Sequence, residues 1–225
     1  MIIAIDGPAG SGKSTVARGV ARRLGFTYLD SGAMYRAVTL AAIEAGADLS
    51  DGEQLGRLAA DAQIRLRERD GDDIQVLLGE RDVSDEIRTP AVTGSSSQVA
   101  AHREVREALL RRQRALIADG NWVVEGRDIG TVVAPDAAVK AFLTADPEER
   151  ARRRAAELRR RGVEAEADEV HRAMEQRDRL DSTRSAAPLR PADDAASIDT
   201  TGLAAEQVID RILALVEQAG ARSAS

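Results

Sequence analysis

The chain has 225 residues, no cysteine and a formal net charge of −6, which is long enough for one large domain with a substantial core. The acidic balance speaks against a general nucleic-acid binder, which needs a basic surface to release counterions. The missing thiols exclude disulfides and thiolate metal sites and fit a reducing compartment. No stretch approaches 18 consecutive apolar residues and the N-terminus shows no signal-peptide pattern, so a cytoplasmic protein without a membrane partner is expected. His102 and His171 are too few and too far apart for a histidine metal cluster. Only Lys13 and Lys140 are lysines, so 30 of the 32 basic residues are arginine. Such a bias fits an Ala- and Arg-rich proteome, and each arginine has to be argued singly.

Met1 to Ile5 is an apolar run of strand length. Gly7-Pro8-Ala9-Gly10-Ser11-Gly12-Lys13-Ser14 then fits G-x-x-x-x-G-K-S, and Val16, Val20 and Leu24 recur at helical spacing until Gly25, a plausible C-cap. Strand, glycine-rich loop and helix in this order give the motif its mechanism. Backbone N–H groups hold phosphate oxygens at a helix N-terminus, Lys13 reaches the β- and γ-phosphates, and the Ser14 hydroxyl takes Mg²⁺. The expected triphosphate site is therefore Gly7, Pro8, Ala9, Gly10, Ser11, Gly12, Lys13, Ser14 and Thr15.

Thr27 to Asp30 reads as a second strand, with Ser31 as the cap of a helix running to about Ala45 before Gly46. Ser31, Tyr35 and Arg36 then lie near the carboxyl end of a strand, where open α/β sheets bind ligands. A helix over 51–62 is followed by a change of period: Ile64 and Leu66, then Ile74, Val76 and Leu78, alternate around the Asp70-Gly71-Asp72 turn, as in an inserted β-hairpin. Glu80-Arg81-Asp82 and the Thr89-Pro90 break suggest a small lobe that ends near Ser95-Ser96-Ser97. A basic helix spans Arg103 to Ala118 and stops at Gly120. Trp122 to Glu125 is the next strand, and Arg127-Asp128 sits in the loop beyond it, pointing at the ligand crevice. Ala138 to Thr144 is a strand, and Asp146-Pro147-Glu148-Glu149 reads as an N-cap, a proline at the first helical position and a capping-box-like start. The helix that follows carries Arg150, Arg152, Arg153, Arg154, Arg159, Arg160 and Arg161 before Gly162. Solvated charges supported by Glu149 and Glu157, or an arginine-bearing lid that closes over a triphosphate, would both produce this pattern. A helix near 165–182 brings Arg177, Asp181 and Arg184 onto one face if it extends that far, an arrangement that salt bridging would also produce. Pro188 and Pro191 break the pattern, Ala195 to Asp199 is a fifth core strand, and Val208, Ile212, Leu215 and Ala219 define a closing helix with a frayed tail after Gly220.

Five strands alternating with helices behind a phosphate loop give a three-layer α/β core with a five-stranded parallel sheet, an inserted β-containing lobe and an arginine-rich helix that would serve as a lid over a triphosphate. The residues leave the acceptor open. An alcohol would require a carboxylate base to take its proton. A monophosphate attacks with an oxygen that is already anionic, so arginines that neutralise two facing polyanions matter more. Arginines at strand ends tilt toward the phosphate acceptor. The rivals are a kinase for another monophosphate or small metabolite, and a nucleotide-dependent switch without an acceptor, for which an N-K-x-D base-recognition motif is absent. An RNA-associated ATPase is opposed by the charge and by an aromatic content of 2%.

The loop from Ile5 to Ser14, Leu29-Asp30-Ser31-Gly32-Ala33-Met34-Tyr35-Arg36, the Val105–Arg114 segment, Glu125–Val133, Glu148–Ala151, Arg177–Ser182 and Ala187-Pro188-Leu189 together resemble the bacterial cytidylate kinases, in order and over essentially the whole chain. The resemblance implies transfer of the ATP γ-phosphoryl group to CMP or dCMP, with Mg²⁺ as cofactor, in a single cytoplasmic, monomeric kinase domain. It places the core at about 1–62, 101–150 and 185–220, the monophosphate-binding insert at about 63–100 and the lid at about 151–165. It implies that Ser31, Tyr35, Arg36, Ser97, Arg106, Arg127, Asp128, Arg177, Asp181 and Arg184 bind CMP. Catalysis would fall to Lys13, Arg127, Asp128, Arg150, Arg153 and Arg154, with Ser14 as a direct and Asp30 as an outer-sphere Mg²⁺ partner. Cytosine fits such a set: its exocyclic amine donates while O2 and N3 accept, matching a carboxylate such as Asp128 and donors such as Ser97 or Arg106. Uracil reverses the polarity at positions 3 and 4 and would leave buried groups unpaired, at about 1–3 kcal/mol each.

Overall fold

The computed structural model describes residues 1–68, 74–164 and 166–223, with side chains omitted at 68, 222 and 223. Two compact units emerge, one made of Met1–Tyr28, Gly120–Thr183 and Ala187–Ser225, the other of Leu29–Asp119 and Arg184–Ala186.

The first unit is built on β1 (Ile2–Asp6), whose Ile3, Ala4 and Ile5 are fully buried. Such a strand needs neighbours on both sides, and it has them: β6 (Trp122–Gly126) and β7 (Val139–Thr144) both pair with it in parallel. With β2 (Thr27–Asp30) and β8 (Ala196–Asp199) the order is β2-β6-β1-β7-β8, a five-stranded parallel sheet. The chain passes from one unit to the other within β2. Helix α1 (Lys13–Leu24) ends on Gly25 in the left-handed conformation, φ 65°, and packs against β1, β6 and α8 (Ala205–Ser223). Helix α6 (Pro147–Arg160) begins as the sequence suggests, with Asp146 accepting from Glu148 N–H and Glu149 N–H and Pro147 at the first position. Ala151 and Ala155 of α6 join Val170 and Met174 of α7 (Ala167–Thr183) in a small apolar cluster against Ala9 of the glycine-rich loop.

In the second unit α2 (Ser31–Glu44) packs on α3 (Gly52–Asp61) and α4 (Pro90–Ala101), and α5 (Arg103–Leu116) packs on α3. Its strands β3 (Ile64–Glu68), β4 (Ile74–Leu78) and β5 (Arg81–Asp82) form an antiparallel sheet. The hairpin is thus present. Its Asp70-Gly71-Asp72 turn lies outside the described residues.

Four local expectations are corrected. Asp30, not Ser31, caps α2, its carboxylate accepting from Ala33 N–H at 2.9 Å; this is the usual bond from cap to third helical residue, and the helix starts one residue earlier than the serine suggested. Pro90 opens a helix instead of breaking one, because a proline at the first helical position gives up an N–H that has no partner there. Ser95, Ser96 and Ser97 therefore lie within α4. Arg184 falls one residue past α7, off the helical face of Arg177 and Asp181. Finally, α8 runs through Gly220 to Ser223.

Close packing of α1 on α8 sets a test. A Cβ at Gly19 would lie 2.3 Å from Ile209 Cδ1 and 3.1 Å from its Cγ1. Gly19→Ala should destabilise the protein by about 1–3 kcal/mol despite the better helix propensity of alanine. Adding Ile209→Val, which removes the clashing methyl, should recover part of that loss, and a double-mutant cycle by urea unfolding checks the sign of the coupling.

Candidate functional site

Each unit carries one cluster of polar groups that the sequence marked. In the first, the glycine-rich loop bends through left-handed backbone at Gly10 and Gly12, φ 72° and 88°. Close approach matters as much as dihedral freedom. A Cβ at Gly10 would meet Arg150 O at 2.8 Å and Met174 Cε at 2.9 Å, so any side chain there would push the loop off α6 and α7. Lys13 donates from Nζ to Pro8 O at 2.7 Å, curled back over the loop that it follows. It is buried, and desolvation, then the Arg127 and Arg177 guanidinium groups, against the pull of Glu125 and Asp6, bring its ammonium down to about 7. A bound polyanion would drive that pKa back up. Ser14 Oγ donates to Glu125 Oε2 at 2.9 Å, and Tyr28 OH donates to the other oxygen of Glu125. Thr15 faces solvent.

Beyond β6 the chain enters a π-helical turn, Ile129–Val133, directly after Arg127 and Asp128. Asp6, at the end of β1, accepts from Ile129 N–H at 2.8 Å and from Gly130 N–H at 2.7 Å. Burial pushes the Asp6 carboxyl up to about 6, against those two donors, with Asp128 adding to the rise and Lys13 opposing it. Arg127 donates from Nε to Asp181 Oδ2 at 3.0 Å, and Asp128 is buried. Arg150 donates to Ala9 O at 3.2 Å, to Ala145 O at 3.1 Å and to the Asp178 carboxylate. Arg153 bonds Glu149, Thr200 Oγ1 and Thr200 O at 2.7–2.9 Å, while Arg154 bonds Glu157 at 2.8 Å. Arg177 and Asp181 lie on α7.

In the second unit Asp30 anchors the cluster. Burial alone would raise its carboxyl, but Arg36, with Nη2 at 2.9 Å, and the Ala33 N–H hold it below the usual carboxylate range, helped by Arg88. The Arg106 guanidinium stands 5.2 Å from the centre of the Tyr35 ring and donates to Ala100 O at 3.1 Å. Ser31 and Ser97 are buried, and Arg184 belongs to this unit. Tyr35, Arg36 and Arg106 are thus linked through α2 and α5.

Sequence reasoning gave no role to Asp6, Glu125, Asp178 or Thr200. Two of them had a readable signal: Asp6 and Glu125 are carboxylates that close apolar strands, and such a group must find partners at the strand end. Asp178 and Thr200 act through contacts between elements far apart in sequence, which no local pattern records.

The sequence model of the family described as cytidylate kinase matches residues 3–218. Among curated relatives, a cytidylate kinase of Pelotomaculum thermopropionicum is 52% identical over 214 residues, covering 95% of each chain. One of Carboxydothermus hydrogenoformans is 52% identical over 217 residues, covering 96% of this chain and 97% of its own. Among solved structures, a gluconokinase of Sinorhizobium meliloti superposes with a TM-score of 0.51 at 13% identity, covering 98% of this chain and 94% of that one, a likeness of fold alone.

Asp6 makes the stability of the protein depend on pH in a specific window. Its carboxyl titrates at about 6 in the folded state against 3.8 as the ordinary value, so between these the folded protein holds a proton that the unfolded chain has lost. The contribution is full below the lower value and is lost as pH rises through the upper one. Urea unfolding at pH 4, 5 and 6 should therefore show wild-type stability falling relative to Asp6→Asn across the series; parallel curves would contradict it.

Proposed function

Since the chain belongs to the cytidylate kinase family, we propose that it transfers the γ-phosphoryl group of ATP to CMP or dCMP, giving ADP and CDP or dCDP. The observation that supports this best is the family match over 3–218 together with the loop Gly7–Thr15 and, in the same unit, the Arg127-Asp128 corner with its buried Asp128. The acceptor phosphate oxygen is anionic before it attacks, so the residues need to orient and neutralise, not to abstract a proton.

In this reading Gly7, Pro8, Ala9, Gly10, Ser11, Gly12, Lys13, Ser14 and Thr15 hold ATP. Lys13 regains its full charge against the β- and γ-phosphates. Ser31, Tyr35, Arg36, Ser97, Arg106, Arg127, Asp128, Arg177, Asp181 and Arg184 bind CMP, with Asp128 accepting from the cytosine amine. Arg127, Arg150, Arg153 and Arg154 neutralise the transferring phosphoryl group. Arg150, Arg153 and Arg154 each donate to a carboxylate, and phosphate oxygens would take the carboxylate's place. The insert at about 63–100 serves as the monophosphate lobe and the stretch at about 151–165 as the lid.

The oxygen pair of Ser14 Oγ and Glu125 Oε2, 2.9 Å apart, fits Mg²⁺. Among the described residues no cluster of three or more His, Cys, Asp or Glu forms a cage, as suits an ion that takes most ligands from phosphate and water. Held by Ser14 and Glu125, Mg²⁺ would supply positive charge against the negative charge that develops on the transferring phosphoryl group. Asp30 would act only through water, since its oxygens already accept from Ala33 and Arg36. We place the enzyme in the cytoplasm as a monomer without a nucleic-acid partner, supported by the charge of −6; no described helix is long and apolar enough to cross a membrane.

A coupled ADP-release assay over CMP, dCMP, UMP, AMP, GMP and shikimate tests the reaction. CMP and dCMP should dominate; the absence of stimulation by any acceptor would overturn the kinase reading. Arg127→Ala and Asp128→Ala should each cut kcat/KM for CMP by about 100-fold, the size of one lost charge-directed contact, while ATP binding changes little. Equal losses for both nucleotides would contradict the assignment of the pair to the acceptor.

A further inference from the structure

Asp6 does a job that its position would not suggest. It ends the central strand, immediately before the phosphate loop, and its two carboxylate oxygens accept from the N–H groups of Ile129 and Gly130. These are the first two donors of the π-helical turn, the groups that a helical turn leaves without an internal partner. The residue placed to cap them locally is Asp128, and its side chain makes no cap bond. The cap comes instead from a residue more than 120 positions earlier in the chain.

The arrangement is tight as well as polar. A Cβ at Gly130 would stand 3.2 Å from Lys140 Cδ and 3.4 Å from Asp6 Oδ2, so the absence of a side chain at 130 lets the turn sit down on the carboxylate. Asp6 is also opposite Gly126 in the parallel register of β1 and β6, which sets both ends of the Arg127-Asp128 corner from the same residue: one through the ladder, one through the cap. A buried carboxylate at this point is costly, and two charge-assisted bonds to backbone are what make it tolerable.

We propose that Asp6 is a positioning residue for the acceptor: by capping the turn at Ile129 and Gly130 from β1, it relieves Asp128 of that duty and holds Arg127 and Asp128 in the conformation that the monophosphate meets. The proposal rests on the reading of Arg127 and Asp128 as CMP-binding residues. It assigns Asp6 no contact with either substrate.

The test uses the full-length protein with Asp6→Ala and Asp6→Asn. ATP affinity is measured by isothermal titration, KM and kcat for CMP by coupled ADP release, and hydrogen exchange at the Ile129 and Gly130 amides by NMR without substrate. Asp6→Ala should raise KM for CMP by about tenfold or more, while the ATP dissociation constant moves by less than about threefold. Asp6→Asn, which keeps one acceptor oxygen, should fall between Asp6→Ala and wild type. In Asp6→Ala the Ile129 and Gly130 amides should lose protection while those of Val123 and Val124 keep it. Parallel losses for ATP and CMP, or lost amide protection with an unchanged KM for CMP, would overturn the proposal. Should Asp6→Ala fail to fold, Asp6→Asn and the unsubstituted protein decide it, and rapid exchange at both amides in the unsubstituted protein would overturn it as well. Failure of CMP to stimulate ADP release by the unsubstituted protein is a separate outcome that sinks the functional reading itself, and the amide exchange still reports whether Asp6 holds the turn.

Discussion

The first unit depends on the burial of charge at the carboxyl ends of its central strands. Asp6, Lys13, Glu125 and Asp128 are all nearly inaccessible to water. An ionised group taken out of water is tolerated only where opposite charges or hydrogen-bond donors replace its hydration. The surroundings of Lys13 show the balance. Two carboxylates pull its ammonium up, while burial and two arginines press it down, and the result stands near neutrality. A group poised in this way responds to a single added anion, which is how a static fold acquires a binding signal.

The arginine–carboxylate pairs extend this logic outward. Arg127 with Asp181 and Arg150 with Asp178 place two guanidinium groups against two carboxylates one helical turn apart on α7. Held so, the arginines keep a defined direction without a ligand, and their charge is compensated. Phosphate offers the same forked oxygen geometry as carboxylate with greater charge, so exchange of one for the other asks little rearrangement of the guanidinium plane. Arg153 differs. Three of its bonds run to Glu149 and Thr200, and Thr200 Oγ1 lies 3.1 Å from Ser11 O, so this arginine is tied through Thr200 to the phosphate loop.

Much of this was legible beforehand, for local reasons. The strand, loop and helix around Lys13 have periods and punctuation that depend only on near neighbours, and the observed Ile2–Asp6, Lys13–Leu24 and left-handed Gly25 follow them. The hairpin strands were equally readable, since alternation over five residues carries its own signal. Where two local rules competed, the reading failed: Pro90 obeys helix-start chemistry rather than helix breaking, and Asp30 outcompetes Ser31 as a cap because the carboxylate accepts more strongly. The roles of Asp178 and Thr200 could not be read at all, and that of Asp6 only as a carboxylate in need of partners at a strand end. They are set by partners on other elements, brought within reach by the register of the sheet for Asp6 and Thr200 and by the packing of α7 on α6 for Asp178.

The central place of β1 has a consequence for how the molecule is made. Ile3 pairs across the sheet with Val123 on one side and Val139 on the other, so both ladders of the first strand close on residues more than a hundred positions downstream. Translation therefore delivers β1 long before either of the strands that pair with it exists. The chain must keep Ile2 to Ile5 out of wrong pairings until the strand ending at Thr144 has emerged, and loop closure over that span makes this step slow compared with formation of the helices. The nascent chain thus has a vulnerable interval, between synthesis of its first strand and its seventh, in which chaperone capture or aggregation competes with folding.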